Sequence, residues 1–169
     1  SARFIIASDG SLSTPTLGTN NVRFGATAGN SIVSGGTKNT LVGDGAGSTL
    51  SDADFNTHIG FNAGTSISTG AQNTIIGGVA GDALNTGADN VALGVSSLGA
   101  DTKGNFSVAI GTSALTTQNF TTSTSVYNTA VGHAAGAGIT TGTLNTILGG
   151  LAGDGLTTAD ECVIIGYNA

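Results

Sequence analysis

A nine-residue pattern of polar and apolar positions returns from one end of the chain to the other. It is clearest at residues 73–81, which read Asn, Thr, Ile, Ile, Gly, Gly, Val, Ala and Gly. With these residues numbered as repeat positions 1 to 9, position 5 is glycine in every copy: Gly25, Gly43, Gly60, Gly77, Gly94, Gly111, Gly132, Gly149 and Gly166. Successive copies are 17 or 18 residues apart except for one interval of 21 residues. A fixed period of this kind is typical of a solenoid, in which each turn of chain stacks on the turn before it.

Positions 2 to 4 predict one short β-strand in each turn. Position 2 is always threonine or valine, and position 4 is always large and apolar, from Phe24 in the first copy to Ile165 in the last. Alternate residues of a strand face opposite sides, so positions 2 and 4 share one face and position 3 occupies the other. We expect positions 2 and 4 to face the interior. Glycine in every turn and abundant valine, isoleucine and threonine argue against helices.

Position 3 is mostly apolar as well, which predicts that the second face of the strands is also covered. In this interpretation a 17-residue turn encloses only one face, and a strand that is apolar on both faces is normally covered on both. One large buried side chain per turn contributes about 2–3 kcal/mol, less than the backbone entropy lost in ordering the turn. We therefore predict an obligate oligomer, most simply a homotrimer, whose interface is formed by Arg23, Leu41, His58, Ile75, Ala92, Ala109, Ala130, Ile147 and Ile164.

Three further positions predict how the turns stack. Position 1 is asparagine in seven of nine copies, and identical amides stacked about 4.8 Å apart can form a hydrogen-bonded ladder. Position 8 is alanine in eight of nine copies, which suits a narrow inner corner. The recurring glycines predict turns with positive φ. Residues 21–169 are therefore predicted to form the solenoid, and residues 1–20 an entry or capping segment in which residues 4–7 form a degenerate first turn.

Composition and charge exclude several classes of function. The chain has 29 glycines, 8% charged residues and a formal charge of −6. Its only cationic side chains are Arg3, Arg23, Lys38 and Lys103, too few and too dispersed to follow a nucleic-acid backbone. Cys162 is the only cysteine, so it has no partner for an intrachain disulfide. No apolar run approaches the ~20 residues of a membrane span, and we expect no membrane contact by this segment.

The residues that could carry chemistry favour a protein that is not an enzyme and that needs no cofactor or metal. His58 and His133 lie in different turns, and no serine, cysteine or carboxylate has the spacing of a catalytic partner. If position 3 lined a three-fold axis, His58 of three chains would meet there and offer a metal or anion site; a packed neutral histidine is the alternative. Asp82 and Asp154 follow glycine-rich segments similar to calcium-binding nonapeptide repeats. The other turns lack this aspartate, which favours turn residues over a calcium site.

The threonines at position 2 suggest an ice-binding solenoid as an alternative of another class. Valine replaces threonine in four copies, and position 2 shares a face with position 4, so we favour buried packing for this row. The row is Thr40, Thr57, Thr74, Thr129 and Thr146.

The 21-residue interval predicts an insertion on the outside of the solenoid. Four extra residues fall within residues 116–127, and outward loops of solenoids often carry binding. We predict ligand contacts, such as stacking on a sugar, by Gln118, Asn119, Phe120 and Tyr127. The alternative is a longer turn whose aromatic residues fold back on the roll.

Residues 107–114, Ser-Val-Ala-Ile-Gly-Thr-Ser-Ala, resemble the head repeat of trimeric autotransporter adhesins, the YadA-like head. Copies such as residues 73–81 resemble the same repeat in phage tail fibres and other bacterial surface fibres. The resemblance implies a left-handed parallel β-roll assembled as a homotrimer, with Val108 and Ile110 inside and Ala109 at the trimer interface. It also implies an extracellular fibre on a bacterial surface or a virion, which attaches to host, prey or matrix ligands such as a glycan or a protein.

The 17-residue turn is longer than is usual in that head, and the segment shows no neck, coiled coil or anchor, so we expect it to be a piece of a longer fibre. The expected fold is an all-β, left-handed parallel β-roll of about nine 17-residue turns assembled as a homotrimer. The expected function is structural and adhesive. A tail-fibre segment that recognises a host receptor is the first alternative, and an ice- or calcium-binding solenoid is the second.

Overall fold

The computed structural model describes residues 18–169 and the backbone of residues 5–6 and 12–13. These residues form no helix and build a parallel β-solenoid of about eight turns, each of roughly 17 residues. The strands are β1 (Ile5–Ile6), β2 (Leu12–Ser13), β3 (Val22–Phe24), β4 (Thr40–Val42), β5 (Thr57–Ile59), β6 (Thr74–Ile76), β7 (Val91–Leu93), β8 (Gly104–Asn105), β9 (Val108–Ile110), β10 (Thr124–Ser125), β11 (Thr129–Val131), β12 (Thr146–Leu148) and β13 (Val163–Ile165).

One parallel sheet of nine strands runs the length of the solenoid, in the order β3, β4, β5, β6, β7, β9, β11, β12, β13. Each strand consists of repeat positions 2 to 4, as predicted, and equal positions pair: His58 is opposite Ile75, and Ile75 is opposite Ala92. Ile5 and Ile6 belong to the predicted degenerate first turn, but β1 pairs antiparallel with β2 instead of joining this sheet. The remaining residues of that prediction, Phe4 and Ala7, lie outside the described residues.

The asparagine ladder is confirmed, and it also links the two sides of each turn. The backbone N–H of Asn56 donates to Oδ1 of Asn39 in the preceding turn (2.8 Å). The Nδ2 of Asn56 donates to the carbonyl of Gly70, 14 residues further along its own turn (3.0 Å). These amides are fully buried. Because both polar ends of the side chain are paired, its burial carries no desolvation penalty for an unmade hydrogen bond.

Three inward rows of side chains fill the interior, at positions 3, 8 and 12. Eight of the nine small residues at position 8 are buried, as predicted for an inner corner, and Ala169 in the last turn is exposed. Position 12, which was not predicted as a core row, is aliphatic in six of eight copies, and that regularity is the sequence signal for it. Its aliphatic members are Ile32, Leu50, Ile67, Leu84, Ile139 and Leu156.

Positions 3 and 9 share one volume inside each turn. A Cβ atom added to Gly81 at position 9 would lie 3.2 Å from the Cδ1 of Ile75 at position 3. At Ala92, where position 3 is small, position 9 carries a buried leucine, Leu98. Ala109 and Leu115 repeat this exchange in the following turn. Ala130 is the exception: position 9 of its turn is Gly136, and the side chains of Leu115 and Ile147 from the adjacent turns border that space.

Candidate interface on the outward sheet face

The side chains of position 3 lie inside the solenoid, so the predicted assignment of the two strand faces is wrong. Seven of the nine residues proposed for the trimer interface are buried within the single chain: Leu41, His58, Ile75, Ala92, Ala109, Ala130 and Ile147. Arg23 and Ile164, in the two terminal strands of the sheet, are half-buried. An interior already enclosed by its own turns cannot also contact another chain, which removes the proposed axial site at His58.

The two end residues of this row cover the open ends of the interior. The Nε of Arg23 donates a hydrogen bond to the carbonyl of Ala28 (2.5 Å), and burial lowers the pKa of its guanidinium. Ile164 packs against the apolar core from the last strand.

His58 is an ionisable side chain enclosed in apolar surroundings. It is fully buried, and neither ring nitrogen has a hydrogen-bond partner. The ring lies against Gly47 and Gly64, where an added Cβ atom would be within 3 Å of it. Burial lowers the pKa of His58 from 6.5 to about 3, because no nearby group compensates for the lost hydration of the charged form. The packed neutral histidine is the state that these surroundings favour.

The opposite face of the sheet points outward and is apolar. We call residues that share a repeat position a column, and the residue before position 1 belongs to column 0. Among the described residues, fifteen large hydrophobic side chains are exposed, and fourteen of them lie in columns 0, 2, 4 and 6; Val33 is the exception. They are Phe55, Phe106, Tyr127 and Leu144 in column 0, Val22 and Val163 in column 2, Phe24, Ile59, Leu93, Leu148 and Ile165 in column 4, and Phe61, Val95 and Tyr167 in column 6. We call these four columns the outward face.

The backbone conformation of column 0 is the same in every turn, although its residue types differ. All nine residues have left-handed φ angles between 55° and 63°, a conformation that costs a non-glycine residue about 1 kcal/mol or more. In seven of the nine, the backbone N–H donates to a carbonyl of the preceding turn, as from Phe55 to Thr37 (3.2 Å) and from Leu144 to Val126 (2.8 Å). The column is Asn20, Lys38, Phe55, Gln72, Asp89, Phe106, Tyr127, Leu144 and Glu161.

Neighbouring side chains of column 0 contact one another along the solenoid. The Nζ of Lys38 lies 4.5 Å from the centroid of the Phe55 ring, a cation–π contact. The rings of Phe106 and Tyr127 are stacked, with centroids 5.0 Å apart and an angle of 7° between the planes. These exposed rings extend the apolar surface of the sheet along one flank.

The structure separates the four residues predicted to bind a ligand in the insertion. Gln118 is fully buried and Phe120 is 8% exposed, so the prediction of a ligand contact is wrong for these two side chains. Asn119 is exposed, and Tyr127 belongs to the stacked pair in column 0. For Phe120, the alternative of an aromatic ring folded back on the roll describes the structure.

Gln118 instead forms hydrogen bonds where two interior rows depart from their usual residue types. Position 12 is Asp101 and Gln118 in two successive turns instead of an aliphatic residue. Position 1 is serine at Ser107, and the Nε2 of Gln118 donates to its Oγ (2.9 Å) and to Oδ2 of Asp101 (2.6 Å). The Oε1 of Gln118 accepts a hydrogen bond from Nδ2 of Asn128 (2.9 Å). Asp101 Oδ1 also accepts from the N–H groups of Gly104 and Phe120, each at 3.0 Å. This network continues the ladder across the turn in which its asparagine is missing.

We expect Gln118→Ala to lower the free energy of unfolding by about 2–4 kcal/mol. The substitution removes the side-chain partner of Asp101 Oδ2 and of Ser107 Oγ, while Asn128 Nδ2 keeps its hydrogen bond to the carbonyl of Gly142. Each unpaired buried group costs about 1–3 kcal/mol. Guanidinium titration at a fixed chain concentration measures the change. The neighbouring Asn119→Ala variant is the control, since its exposed side chain makes one long hydrogen bond, accepted from Thr102 (3.4 Å), and we expect a loss below about 0.5 kcal/mol. Equal losses would show that the Gln118 network does not stabilise the turn.

The reversal of faces also changes the interpretation of the threonines in column 2. They were predicted to be buried, but Thr40, Thr57, Thr74 and Thr129 are half-buried and Thr146 is exposed on the outward face. The burial argument against a hydroxyl array therefore no longer holds, while valine still replaces threonine in four copies of the row.

The acidic residues are dispersed over the described part of the chain. No group of three or more His, Cys, Asp or Glu side chains that could hold a metal occurs there. Asp82 and Asp154 lie in turns separated by three others, and burial raises the pKa of Asp82. Asp54 accepts hydrogen bonds from the N–H and the hydroxyl of Thr37 (2.7 Å each), which lower the pKa of its carboxyl. Asp54 thus links its own turn to the preceding one.

Comparisons with protein-family models, with curated proteins and with solved structures found no match to this chain. Within the described residues, nothing forms a helix with the length and hydropathy needed to span a membrane.

Proposed function

We propose that this chain is a structural segment of a homotrimeric extracellular fibre, in which the outward face of each copy packs against those of two others. The observation that carries the proposal is the concentration of exposed apolar side chains on that face, fourteen of fifteen among the described residues. A patch of this kind marks an interaction site in a soluble protein. The trimer interface is thus moved from position 3 to columns 0, 2, 4 and 6.

The size of the outward face suits a stable interface between copies. Nine strands spaced about 4.8 Å apart span roughly 40 Å, and a strand with its two flanking residues spans about 15–20 Å, which gives roughly 600–800 Å². Stable pairwise interfaces bury about 800 Å² on each partner, so the area that each copy would bury against its two neighbours together approaches that of one such interface. A second copy of the same chain is a partner of matching length and spacing, because its strands repeat at the same interval.

The remaining surface supports a role in display and attachment. The turns on the other sides carry exposed hydroxyl and amide side chains such as Thr86, Asn119 and Thr158, which remain accessible when the outward face is covered. In this proposal the trimer is a rigid rod that presents these turns to surface ligands of a host, a prey cell or a matrix. A tail fibre on a virion would use the same assembly, and the sequence that flanks this segment in its parent protein distinguishes the two.

Sedimentation equilibrium at micromolar concentration tests the assembly. We expect a mass about three times that of the 16.2 kDa chain. The double variant Ile76→Lys and Ile110→Lys places cations in the middle of column 4, where their burial against another copy is strongly unfavourable, and we expect it to dissociate to monomers. Thr86→Lys adds a cation at an exposed turn outside this face and serves as the control that remains a trimer. A wild-type monomer at these concentrations would refute the proposal.

An ice-binding solenoid is the second candidate, favoured by the outward orientation of the threonines in column 2. In this candidate, the runs Thr40–Thr57–Thr74 and Thr129–Thr146, with a spacing of about 4.8 Å between neighbours, would order water on a monomeric surface. Thermal hysteresis of a monomeric wild-type chain, lost on Thr57→Lys and Thr74→Lys, would favour this candidate over the fibre. A trimer without thermal hysteresis would exclude it, because the same face would be covered.

A further inference from the structure

The four columns of the outward face differ in how much their residue types vary from turn to turn along the solenoid. Column 2 contains only threonine and valine, and column 4 contains only valine, leucine, isoleucine and one phenylalanine. Two such surfaces fit nearly as well after a slip by one turn. Columns 0 and 6 change character from turn to turn, so they can define the alignment of two copies. Column 6 is Ala26, Asp44, Phe61, Gly78, Val95, Thr112, His133, Gly150 and Tyr167.

Rotational symmetry determines which columns meet. Column 0 precedes the strand and column 6 follows it, so the two columns run along opposite flanks of the outward face. In a ring of copies related by rotation about an axis parallel to the solenoid, one flank of each copy meets the other flank of its neighbour. A pure rotation adds no shift along the axis. Column 0 of one copy therefore faces column 6 of the next copy at the same turn.

The residues that meet under this rule are complementary in several turns. Lys38 faces Asp44, a pair of opposite charge, and Phe55 faces Phe61, a pair of exposed aromatic rings. Large side chains meet small ones in three turns, and the aromatic Tyr127 meets His133. No turn brings two like charges together. In the remaining turns Asn20 faces Ala26, Asp89 faces Val95, and Glu161 faces Tyr167. The large-to-small pairs are Gln72 with Gly78, Phe106 with Thr112, and Leu144 with Gly150.

Other alignments lose this complementarity. A slip by one turn in one direction places Phe55 opposite Asp44, and in the other direction it places Lys38 opposite Phe61. An antiparallel arrangement brings Lys38 near the turn that contains Leu144 and Gly150, where it meets no carboxylate. The parallel arrangement without slip is the one that pairs the charges and the aromatic rings together.

We propose that the copies associate in parallel and in register, with Lys38 of one copy paired with Asp44 of the next and Phe55 packed against Phe61. This inference rests on the proposed function, since it specifies how the outward faces of the homotrimer meet. Lys38 and Asp44 are both exposed in the single chain, and their present contacts, with Phe55 and with the hydroxyl of Thr27 (2.8 Å), leave them accessible to a neighbour. The pair gives the assembly a unique alignment that columns 2 and 4 do not provide.

Charge exchange tests the pair. We expect Lys38→Glu and Asp44→Lys each to raise, by ten-fold or more, the chain concentration at which half of the trimer dissociates, because each places like charges at three equivalent contacts. The double variant K38E/D44K restores opposite charges, and we expect its dissociation to return to within about three-fold of wild type. Both K38E and the double variant lack the contact between Lys38 and Phe55, so a rescue cannot arise from that contact. Additive losses in the double variant would overturn the pairing.

Cross-linking tests the register independently. In a C162S background, chains with K38C and chains with D44C are co-expressed, oxidised and separated without reductant. We expect a cross-linked pair of chains from this mixture and none from K38C mixed with F61C, which reports a slip of one turn. Cross-linking of K38C to F61C in a trimer would overturn the register and leave the proposed function standing. A monomer in sedimentation would overturn both.

Discussion

Replacement of Gly77 by alanine is expected to lower the free energy of unfolding by at least about 3 kcal/mol. Gly77 has a φ of +138°, which is strained for any residue with a Cβ atom. An added Cβ atom would lie 2.5 Å from the carbonyl oxygen of Gly94 in the next turn and 2.6 Å from its carbonyl carbon. Since this neighbour is backbone of the adjacent turn, the clash is relieved only by separating two turns. Guanidinium titration at fixed chain concentration measures the loss.

Gly78→Ala and Gly155→Ala are the controls, and Gly155 decides between outcomes because Gly78 lies in column 6, opposite Gln72 in the proposed trimer. Gly78 has no atom within 4 Å of an added Cβ and does not have a positive φ, so we expect a change within about 0.5 kcal/mol or a slight stabilisation. Gly155→Ala repeats this control outside the proposed interface, because Gly155 also has open space around an added Cβ. A loss of stability at Gly77 as small as that at Gly155 would mean that the turns separate easily and that close stacking does not require the glycine of position 5.

The period and the local pattern were sufficient to predict the elements of the fold. Strands at positions 2 to 4, the asparagine ladder and the inner corner at position 8 each depend on residues whose roles repeat in every turn. A ladder at Asn56, for example, requires only that Asn39 and Asn73 stack in register above and below it, which an interval of 17 or 18 residues guarantees. Repetition thus converts a weak local preference into a strong prediction.

The choice of inward face failed because alternation shows which residues share a face but not which face is enclosed. We placed the larger residues of position 4 inside, whereas the interior also has to hold position 12 and the corner at position 8. Ala92 and Ala109 share that space with Leu98 and Leu115, whereas Leu41, Ile75 and Ile147 share it with glycines at position 9. The sequence contained a signal for the correct choice, since positions 1 and 3 have the same parity and a shielded amide ladder at position 1 places both inside.

Two features had no sequence signal strong enough to predict them. The left-handed conformation of column 0 occurs at Phe55, Leu144 and seven other residues of different types, and in seven of these nine a backbone hydrogen bond to the preceding turn stabilises it whatever the side chain. The network around Gln118 depends on where the insertion leaves the chain. Spacing alone shows that residues are added within 116–127 but not that Gln118 turns inward to meet Ser107.

The effect of pH on the wild-type solenoid is expected to be dominated at mildly acidic pH by His58. The pKa of this buried imidazole is lowered to about 3 from an ordinary value of 6.5. Below pH 6.5 the unfolded chain therefore binds a proton that the folded chain does not, and stability falls as pH decreases from about 7 toward 3. The loss is about 1.4 kcal/mol per pH unit, so we expect about 2 kcal/mol at pH 5 and up to about 5 kcal/mol near pH 3.

No charged group compensates for a proton on this ring. The strands on either side present Leu41 and Ile75, and the turns that enclose the ring present Gly47 and Gly64. The nearest charged member of the same row is Arg23, two strands away, and a second cation there would oppose protonation. The ring is therefore protonated only when the surrounding turns have opened, and not in its packed state.

His58→Ile separates this effect from the titration of the carboxylates. Ile75 occupies the equivalent place one strand away, so we expect isoleucine to fit and to remove two unpaired nitrogens, which would maintain or raise stability at pH 7.5 by about 1–2 kcal/mol. Between pH 7.5 and 5 the variant should lose about 2 kcal/mol less than wild type, measured by guanidinium titration at equal chain concentration. Parallel pH profiles for wild type and His58→Ile would show that the ring accepts a proton in the folded state without opening the turns around it.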